Sequence, residues 1–142
     1  MFGEFIRSID DKNRIAIPAK LRDGLGSKFY ITIGLDNVIE LRSEETFKTF
    51  SEKLISQSQF SSEARLIRRA WLGKSQEIEV DSQGRFILPK QFLSYAAIQK
   101  EVLLIGVGDI VELWGVEQYQ NYETTLDKDA IAKAASKLAE KE

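Results

Sequence analysis

The sequence contains no cysteine and no histidine among its 142 residues. These absences exclude zinc fingers, cysteine nucleophiles, Ser-His-Asp triads and histidine proton shuttles. No stretch approaches the roughly 18 apolar residues of a membrane span, and the chain opens on Met-Phe-Gly-Glu without the apolar segment of a signal peptide. We therefore expect a soluble cytoplasmic protein with no metal, no cofactor and no membrane association.

The length and composition of the chain are typical of one globular domain. The chain is 43% hydrophobic and 30% charged, and its length allows a core that needs no disulfide or metal. The net charge is −2, but residues 1–71 carry 12 basic and 10 acidic residues, whereas residues 72–142 carry 8 and 12. A polyanion would prefer the more basic first half, although scattered charges on a solvated surface would give the same difference.

The strongest feature of the sequence is an internal repeat. Residues 8–21 and 79–92 follow one pattern: an apolar residue, Asp, any three residues, Arg, an apolar residue, any residue, an apolar residue and Pro. The second copy of the pattern lies 71 residues after the first. Residues 33–41 align with residues 105–113 at an offset of 72, so the second copy has gained one loop residue. Two copies that cover most of the chain indicate a duplicated unit.

Each copy predicts four short strands. They cover residues 5–9, 14–17, 29–33 and 38–41 in the first copy and 78–80, 85–88, 102–105 and 110–113 in the second. Asn13 and Gly84 tolerate positive φ, which predicts a tight hairpin turn with the next residue, Arg, opening the return strand. Pro18 and Pro89 end those strands. Because four short strands bury little, we expect the two copies to share one core.

Capping residues and helical spacing predict four helices. One is capped by Ser43, one is capped by Ser61 or Ser62 and ends at Gly73, and two cover residues 117–126 and 128–141. The last helix has a narrow, alanine-rich apolar face, which is typical of a mobile or partner-packed helix. The predicted division is a first unit over residues 1–50, a connecting helical segment over 51–73, a second unit over 74–126 and a helical tail over 127–142.

The residues with recognisable chemistry lie at the two repeated turns. Asp10 and Asp81 can accept backbone N–H bonds there and can pair with Arg14 and Arg85. An arginine held at a rigid turn also suits phosphate or guanine recognition. The basic residues predicted around the first turn are Arg7, Lys12, Arg14, Lys20 and Arg22, whereas Arg85 and Lys90 remain at the second. The first turn is the predicted polyanion contact, and a solvated hairpin with scattered charges is the alternative.

A second basic cluster lies on the predicted helix before Gly73. It consists of Arg65, Arg68, Arg69 and Lys74. The three arginines share one helix face, which could contact phosphates. The favoured interpretation is that this face is the solvent-exposed side of an amphipathic helix. Trp71 and Trp114 have the spacing of core or subunit contacts rather than of base-stacking platforms.

The sequence gives little support for catalysis. No carboxylate pair is marked by spacing as an acid–base couple. The glycine-containing loop at residues 24–26 lacks the signatures of a P-loop and of a dinucleotide site. We therefore predict a protein that is not an enzyme and has no small-molecule substrate.

The repeated motifs resemble those of the MraZ family, bacterial transcriptional regulators built from two AbrB-like (SpoVT-AbrB) units. The matching motifs are Met1-Phe2-Gly3, Asp10-Asp11-Lys12-Asn13-Arg14 with Ile17-Pro18, and Asp81-Ser82-Gln83-Gly84-Arg85 with Leu88-Pro89. The resemblance extends from residue 1 to about residue 126. One departure is Asn13, where the family usually has Gly, and Asn should keep the same turn.

The resemblance implies an α+β fold. Two tandem AbrB-like β-hairpin units would exchange hairpins and pair into one β-barrel core flanked by helices. It further implies a homo-oligomer, a ring, that binds double-stranded DNA at short direct repeats upstream of a division and cell-wall gene cluster. Such a protein would be cytoplasmic and associated with the nucleoid.

The resemblance also implies roles for individual residues. Arg14 would be the principal DNA contact, with Lys12, Arg7 and Arg22 in support. Arg85 matches the motif as a contact or as a structural residue. The turn residues would be Asp10, Asn13, Asp81 and Gly84.

Two other functions remain open at this point. The first is an oligomeric protein-interaction scaffold with only non-specific DNA affinity, which would bind partners through helix 128–141 or the basic helix. The second is an enzyme on the same barrel, which would need a pocket with paired carboxylates. Sequence-dependent DNA affinity distinguishes the regulator from both.

Overall fold

Two antiparallel sheets form the centre of the protein. The computed structural model describes residues 1–141, which form eight strands and six α-helices. The strands are β1 (Phe2–Ser8), β2 (Arg14–Ala16), β3 (Lys28–Ile33), β4 (Ile39–Ser43), β5 (Gln76–Glu79), β6 (Arg85–Ile87), β7 (Glu101–Val107) and β8 (Val111–Gly115). The helices are α1 (Ala19–Leu25), α2 (Glu44–Ile55), α3 (Ser62–Ile67), α4 (Lys90–Tyr95), α5 (Val116–Glu123) and α6 (Lys128–Ala139), and a π-helical turn, Arg68–Leu72, continues α3.

The two copies of the repeat are interlocked by strand exchange. Six strands form one sheet in the order β1-β7-β8-β4-β3-β5, and β2 and β6 form a separate two-stranded ribbon. The hairpins β3–β4 and β7–β8 each belong to one copy and meet along β4 and β8. By contrast, β1 pairs with β7, β5 with β3, and β2 with β6, each across the two copies. The α+β fold and the pairing of two tandem units are therefore confirmed.

The strands on either side of each repeated turn do not pair with each other. The turn itself is as predicted, since Asn13 N donates to Asp10 O at 3.0 Å and Asp10 N donates to Arg14 O at 3.2 Å. Beyond it, however, β1 pairs with β7 and β2 pairs with β6. The two arms separate because each buries its apolar residues against the other copy, and Ile15 lies opposite Phe86 in the core.

The core lies between the ribbon and one face of the six-stranded sheet. Ile15 and Phe86 contribute from the ribbon, and alternate residues of the sheet, such as Phe29 and Leu104, contribute from the opposite side. The rings of Phe29 and Phe86 meet edge to face with their centroids 5.4 Å apart. Because strand residues alternate in direction, Tyr30 lies on the outer face of the sheet.

Two short helices were not predicted. α1 and α4 follow directly after Pro18 and Pro89, which take the N-cap positions. With seven and six residues they are too short to show a clear helical period in the sequence. They bury residues such as Leu21 and Phe92 in the common core.

The predicted caps of α2 and α3 are confirmed. Ser43 Oγ accepts from Thr46 N, and Ser61 Oγ accepts from Ala64 N, each at 3.2 Å. On the outer face of the sheet, Phe47 of α2 stacks on Tyr30 at 4.2 Å between centroids. Helix α2 therefore lies on the side of the sheet opposite to the ribbon.

α6 is separate from the packed body. All described residues from position 120 onward are exposed. Its N-cap is Asp127, whose Oδ1 accepts from Ala130 N at 2.7 Å. Among residues 1–141, no helix combines the length and the apolar character needed to cross a membrane.

Candidate nucleic-acid interface

The outer face of the ribbon collects the two repeated arginines. The cross-strand pairs are Arg14 with Ile87, Ile15 with Phe86 and Ala16 with Arg85. Alternate strand residues point to opposite faces, and Ile15 and Phe86 are at most 1% exposed in the core. The outer face consequently carries Arg14, Ala16, Arg85 and Ile87.

Each end of the ribbon is joined to the turn of the other copy. Ile17 N donates to Gly84 O at 2.9 Å, and Leu88 N donates to Asn13 O at 2.8 Å. The two turns therefore lie at opposite ends of the ribbon, where a pseudo-twofold relation exchanges them. This arrangement holds both arginines on one rigid surface.

Asp10 fixes the first turn and orients its arginine. Its Oδ1 accepts from Lys12 N at 2.9 Å and from Arg14 N at 2.8 Å. Its Oδ2 accepts from Arg14 Nε at 2.6 Å. One carboxylate thus closes the turn and holds the guanidinium.

Asp81 repeats this geometry in the second turn. It accepts from Gln83 N and Arg85 N, each at 2.9 Å, and from Arg85 Nε at 3.0 Å. In both turns Nε makes the ion pair, and within residues 1–141 the Nη1 and Nη2 groups of Arg14 and Arg85 make no hydrogen bond. Each arginine therefore presents two parallel donors, which is the geometry for bidentate recognition.

Asn13 and Gly84 occupy the same left-handed position in the two turns, with φ of 60° and 75°. They differ in their neighbours, because the guanidinium of Arg22 lies against Gly84, and a Cβ built on Gly84 would be 2.6 Å from its Nη2. The repeat places Leu93 at the position equivalent to Arg22. Both turns thus take a residue that tolerates positive φ, and a side chain at position 84 would in addition displace the flexible Arg22 guanidinium.

Arg22 does not lie at the first turn, where the sequence placed it. Its Nε donates to Ile17 O at 3.0 Å, and its guanidinium packs on Gly84 of the second turn. The sequence placed Arg22 wrongly because β2 carries the chain along the ribbon to the other copy's turn, where Ile17 N donates to Gly84 O and α1 begins. Arg22 therefore braces the turn that carries Arg85.

Arg7 and Lys12 flank the first turn. Arg7 pairs with the buried Val102 in the β1–β7 register, so it lies on the ribbon side of the sheet, and its Nη1 donates to Ile6 O at 2.8 Å. Lys12 is exposed at the turn, and its ammonium forms no ion pair within the described chain. Both cations are on the same side of the molecule as Arg14.

The second basic cluster lies elsewhere. Trp71, in the π-helical turn, stacks near Phe50 of α2 with centroids 5.8 Å apart, on the outer side of the sheet. Arg65 of the neighbouring α3 donates through Nη1 to Gln59 O at 2.8 Å. The arginines of this cluster are therefore not part of the ribbon surface.

Comparison with known proteins places the chain in a family. A family model described as "MraZ protein, putative antitoxin-like" matches residues 1–70 and again residues 71–141. The chain belongs to the MraZ family. The two matches correspond to the two interlocked copies, so the MraZ unit is the repeat found in the sequence.

Members of the MraZ family with similar sequences carry one name, "Transcriptional regulator MraZ". The protein of that name from Mycoplasmopsis pulmonis is 41% identical over 140 residues, which cover 99% of this chain and 95% of that protein. The one from Natranaerobius thermophilus is 43% identical over 121 residues, 85% of each chain. The one from Clostridium beijerinckii is 39% identical over 137 residues, 96% of each chain.

Ile87, which no sequence pattern had marked as a site residue, also belongs to the outer face of the ribbon. Ile87 is 60% exposed and lies directly opposite Arg14. Its position between the buried Phe86 and Leu88 was a usable signal, because a strand that buries both neighbours must point the middle residue outward. Its place beside Arg14, by contrast, depends on pairing between the two copies.

The two turns should contribute less to the stability of the fold at acidic pH. Backbone donation from Arg14 N and Arg85 N, the largest cause, lowers the pKa of Asp10 and Asp81 below the ordinary 3.8. These pKa values are lower in the folded protein than in the unfolded chain. The ionised aspartates therefore stabilise the fold fully at pH values above their pKa in the unfolded chain, and this stabilisation is lost as the pH falls through their pKa in the folded protein. We expect the thermal midpoint of the wild type to fall more steeply below about pH 4 than that of the Asp10→Asn/Asp81→Asn variant. Circular dichroism melts from pH 7 to pH 3 measure this, and parallel curves would contradict it.

Proposed function

We propose that this protein is a sequence-specific, DNA-binding transcriptional regulator that reads DNA with the outer face of the β2–β6 ribbon. The observation that carries the proposal is the pair of carboxylate-held arginines, Arg14 and Arg85, on that face. A two-stranded antiparallel ribbon fits the major groove, about 12 Å wide, and arginine donates bidentately to O6 and N7 of guanine. The name shared by the relatives supports the same function.

The surrounding residues take different roles in this proposal. Arg14 and Arg85 contact base edges, while Asp10 and Asp81 hold them in position. Lys12 and Arg7 are exposed or half-buried cations beside the first turn and contact phosphates. Arg22 is exposed, but its guanidinium lies against Gly84, so we assign it a positioning role at the second turn.

The charge balance favours binding by several ribbons together. The net charge is −2, so one protomer that neutralises only a few phosphates has weak affinity. Ribbons linked in one homo-oligomer and bound to repeated sites gain affinity through effective concentration. The proposal therefore includes a ring that binds short direct repeats, located upstream of a division and cell-wall gene cluster in the nucleoid.

The ends of the sheet support a head-to-tail assembly. β1 and β5 form its two edges, and β1 exposes Phe2 and Ile6, at 79% and 53%. The β5 edge carries the exposed Glu77 and Glu79, so the two edges of the sheet differ in chemistry. A contact between two unlike edges is heterologous, and it forms a ring where the rotation between successive protomers closes.

A DNA titration tests the proposed function. Fluorescence anisotropy would compare a duplex with the short direct repeats upstream of the protein's own gene with a scrambled duplex, at two salt concentrations. We expect a preference of at least about tenfold for the repeats, with both affinities falling as salt rises. Equal weak binding of both duplexes would reject the regulator and favour the interaction scaffold, for which the exposed α6 is the available surface.

A further inference from the structure

The outer face of the ribbon carries an apolar pair as well as an arginine pair. Ile87 lies directly across from Arg14, and Ala16 lies directly across from Arg85. Ile87 is 60% exposed, whereas the side chains of Arg14 and Arg85 are 27% and 30% exposed. The most accessible side chain among these three is therefore the apolar one.

The apolar group that DNA offers in the major groove is the thymine methyl. The other groups at the base edges there are hydrogen-bond donors and acceptors, which an isoleucine cannot satisfy. Cross-strand neighbours have their Cβ atoms about 5 Å apart, while successive bases rise about 3.4 Å along the helix. A side chain opposite Arg14 therefore reaches a base about one or two steps from the guanine that Arg14 holds.

On the outer face of the ribbon, the two halves differ in this apolar residue. The offset of 71 that relates the copies converts Arg14 into Arg85 and Ala16 into Ile87. The arginines and their aspartates are thus equivalent by the pseudo-twofold relation, whereas the apolar positions hold a large side chain in one half and a methyl group in the other. Because of this difference, the two possible orientations of the ribbon on DNA are not equivalent.

We propose that Ile87 contacts the 5-methyl group of a thymine within two base steps of the guanine bound by Arg14, and that the Ile87–Ala16 difference sets the orientation of the protein on its site. The inference rests on the proposed function, because it requires the ribbon to enter the major groove. It explains how a pseudo-symmetric protomer reads a site that has a direction. Direct repeats need such a reader, whereas a fully symmetric ribbon would favour palindromic sites.

The test combines protein variants with removal of single methyl groups from DNA. Wild-type protein first selects a preferred duplex from a random-sequence pool. Each thymine of that duplex is then replaced in turn by deoxyuridine, which lacks only the 5-methyl group. Affinities are measured for the wild type, for Ile87→Ala and for Ile131→Ala, a matched control on α6 that is 57% exposed.

We expect one thymine in each site to be sensitive. Its replacement should weaken the wild type and Ile131→Ala by about fourfold, the effect of burying one methyl group, and should not affect Ile87→Ala. The exchange variant Ala16→Ile/Ile87→Ala should move the sensitivity to a thymine near the other guanine. If every thymine gives the same result with the wild type and Ile87→Ala, the inference is wrong.

The same experiment separates this inference from the proposed function. If a preferred duplex is selected and its binding depends on Arg14, but no thymine depends on Ile87, only the methyl contact is rejected. If no sequence is enriched, sequence-specific binding is rejected and the methyl contact with it. Thermal melts of all variants confirm that they fold, and Ile87→Ala should melt like the wild type because its side chain is exposed.

Discussion

Replacing Arg14 by alanine is expected to lower the affinity for the preferred duplex by about 5- to 150-fold, the range for one bidentate arginine–guanine contact. The Nε of Arg14 is held by Asp10 at 2.6 Å, so its two Nη groups are already oriented before DNA arrives. The variant loses these donors and also most of the preference over a scrambled duplex. Anisotropy titrations of both duplexes at fixed salt measure the loss.

Two variants control for charge alone. Lys12→Ala removes an exposed cation from the same turn, and we expect it to weaken both duplexes equally and to reduce the salt slope by about one. Arg69→Ala removes a cation from the outer side of the sheet and should change neither affinity. If Arg14→Ala weakens both duplexes by the same factor, Arg14 is a phosphate contact, and the base-reading role of the ribbon fails.

The local features at the turns were accessible from the sequence. Asp10 precedes Arg14 by four residues, and a residue that adopts positive φ with little strain lies between them. The same pattern recurs at Asp81 and Arg85. It specifies a turn whose aspartate carboxylate accepts hydrogen bonds from backbone N–H groups. The structure contains these hydrogen bonds in both copies. Short-range chemistry of this kind needs no knowledge of the partner strand.

The contacts between the copies were not accessible in the same way. The sequence placed Arg22 with the first turn because it is close in the chain, but strand exchange carries it to Gly84. The pairing of Ile87 with Arg14 likewise depends on the β2–β6 register, which joins residues 69 to 73 positions apart. A pattern within one strand fixes which face a residue occupies, but the opposing residue follows only from the tertiary arrangement.

Replacing Phe86 by alanine is expected to lower the free energy of unfolding by about 3–5 kcal/mol, the usual cost of truncating a buried phenylalanine. Phe86 is 1% exposed, lies opposite Ile15 in the ribbon and meets Phe29 of the other copy edge to face. Because domains of this size are stable by about 5–15 kcal/mol, the variant should be close to unfolding. Guanidinium titrations at one protein concentration measure the change.

The adjacent residue provides the control for this prediction. Ile87→Ala removes an apolar side chain from the same strand, but from the exposed outer face, so its effect should stay within about 0.5 kcal/mol. The contrast between the two variants separates the two faces of the ribbon, one that joins the copies and one that is free to bind. Because the ribbon links both copies, Phe86→Ala should also keep a single unfolding transition rather than release one copy first. A loss below about 1 kcal/mol, or two separate transitions, would show that the ribbon is not part of the shared core.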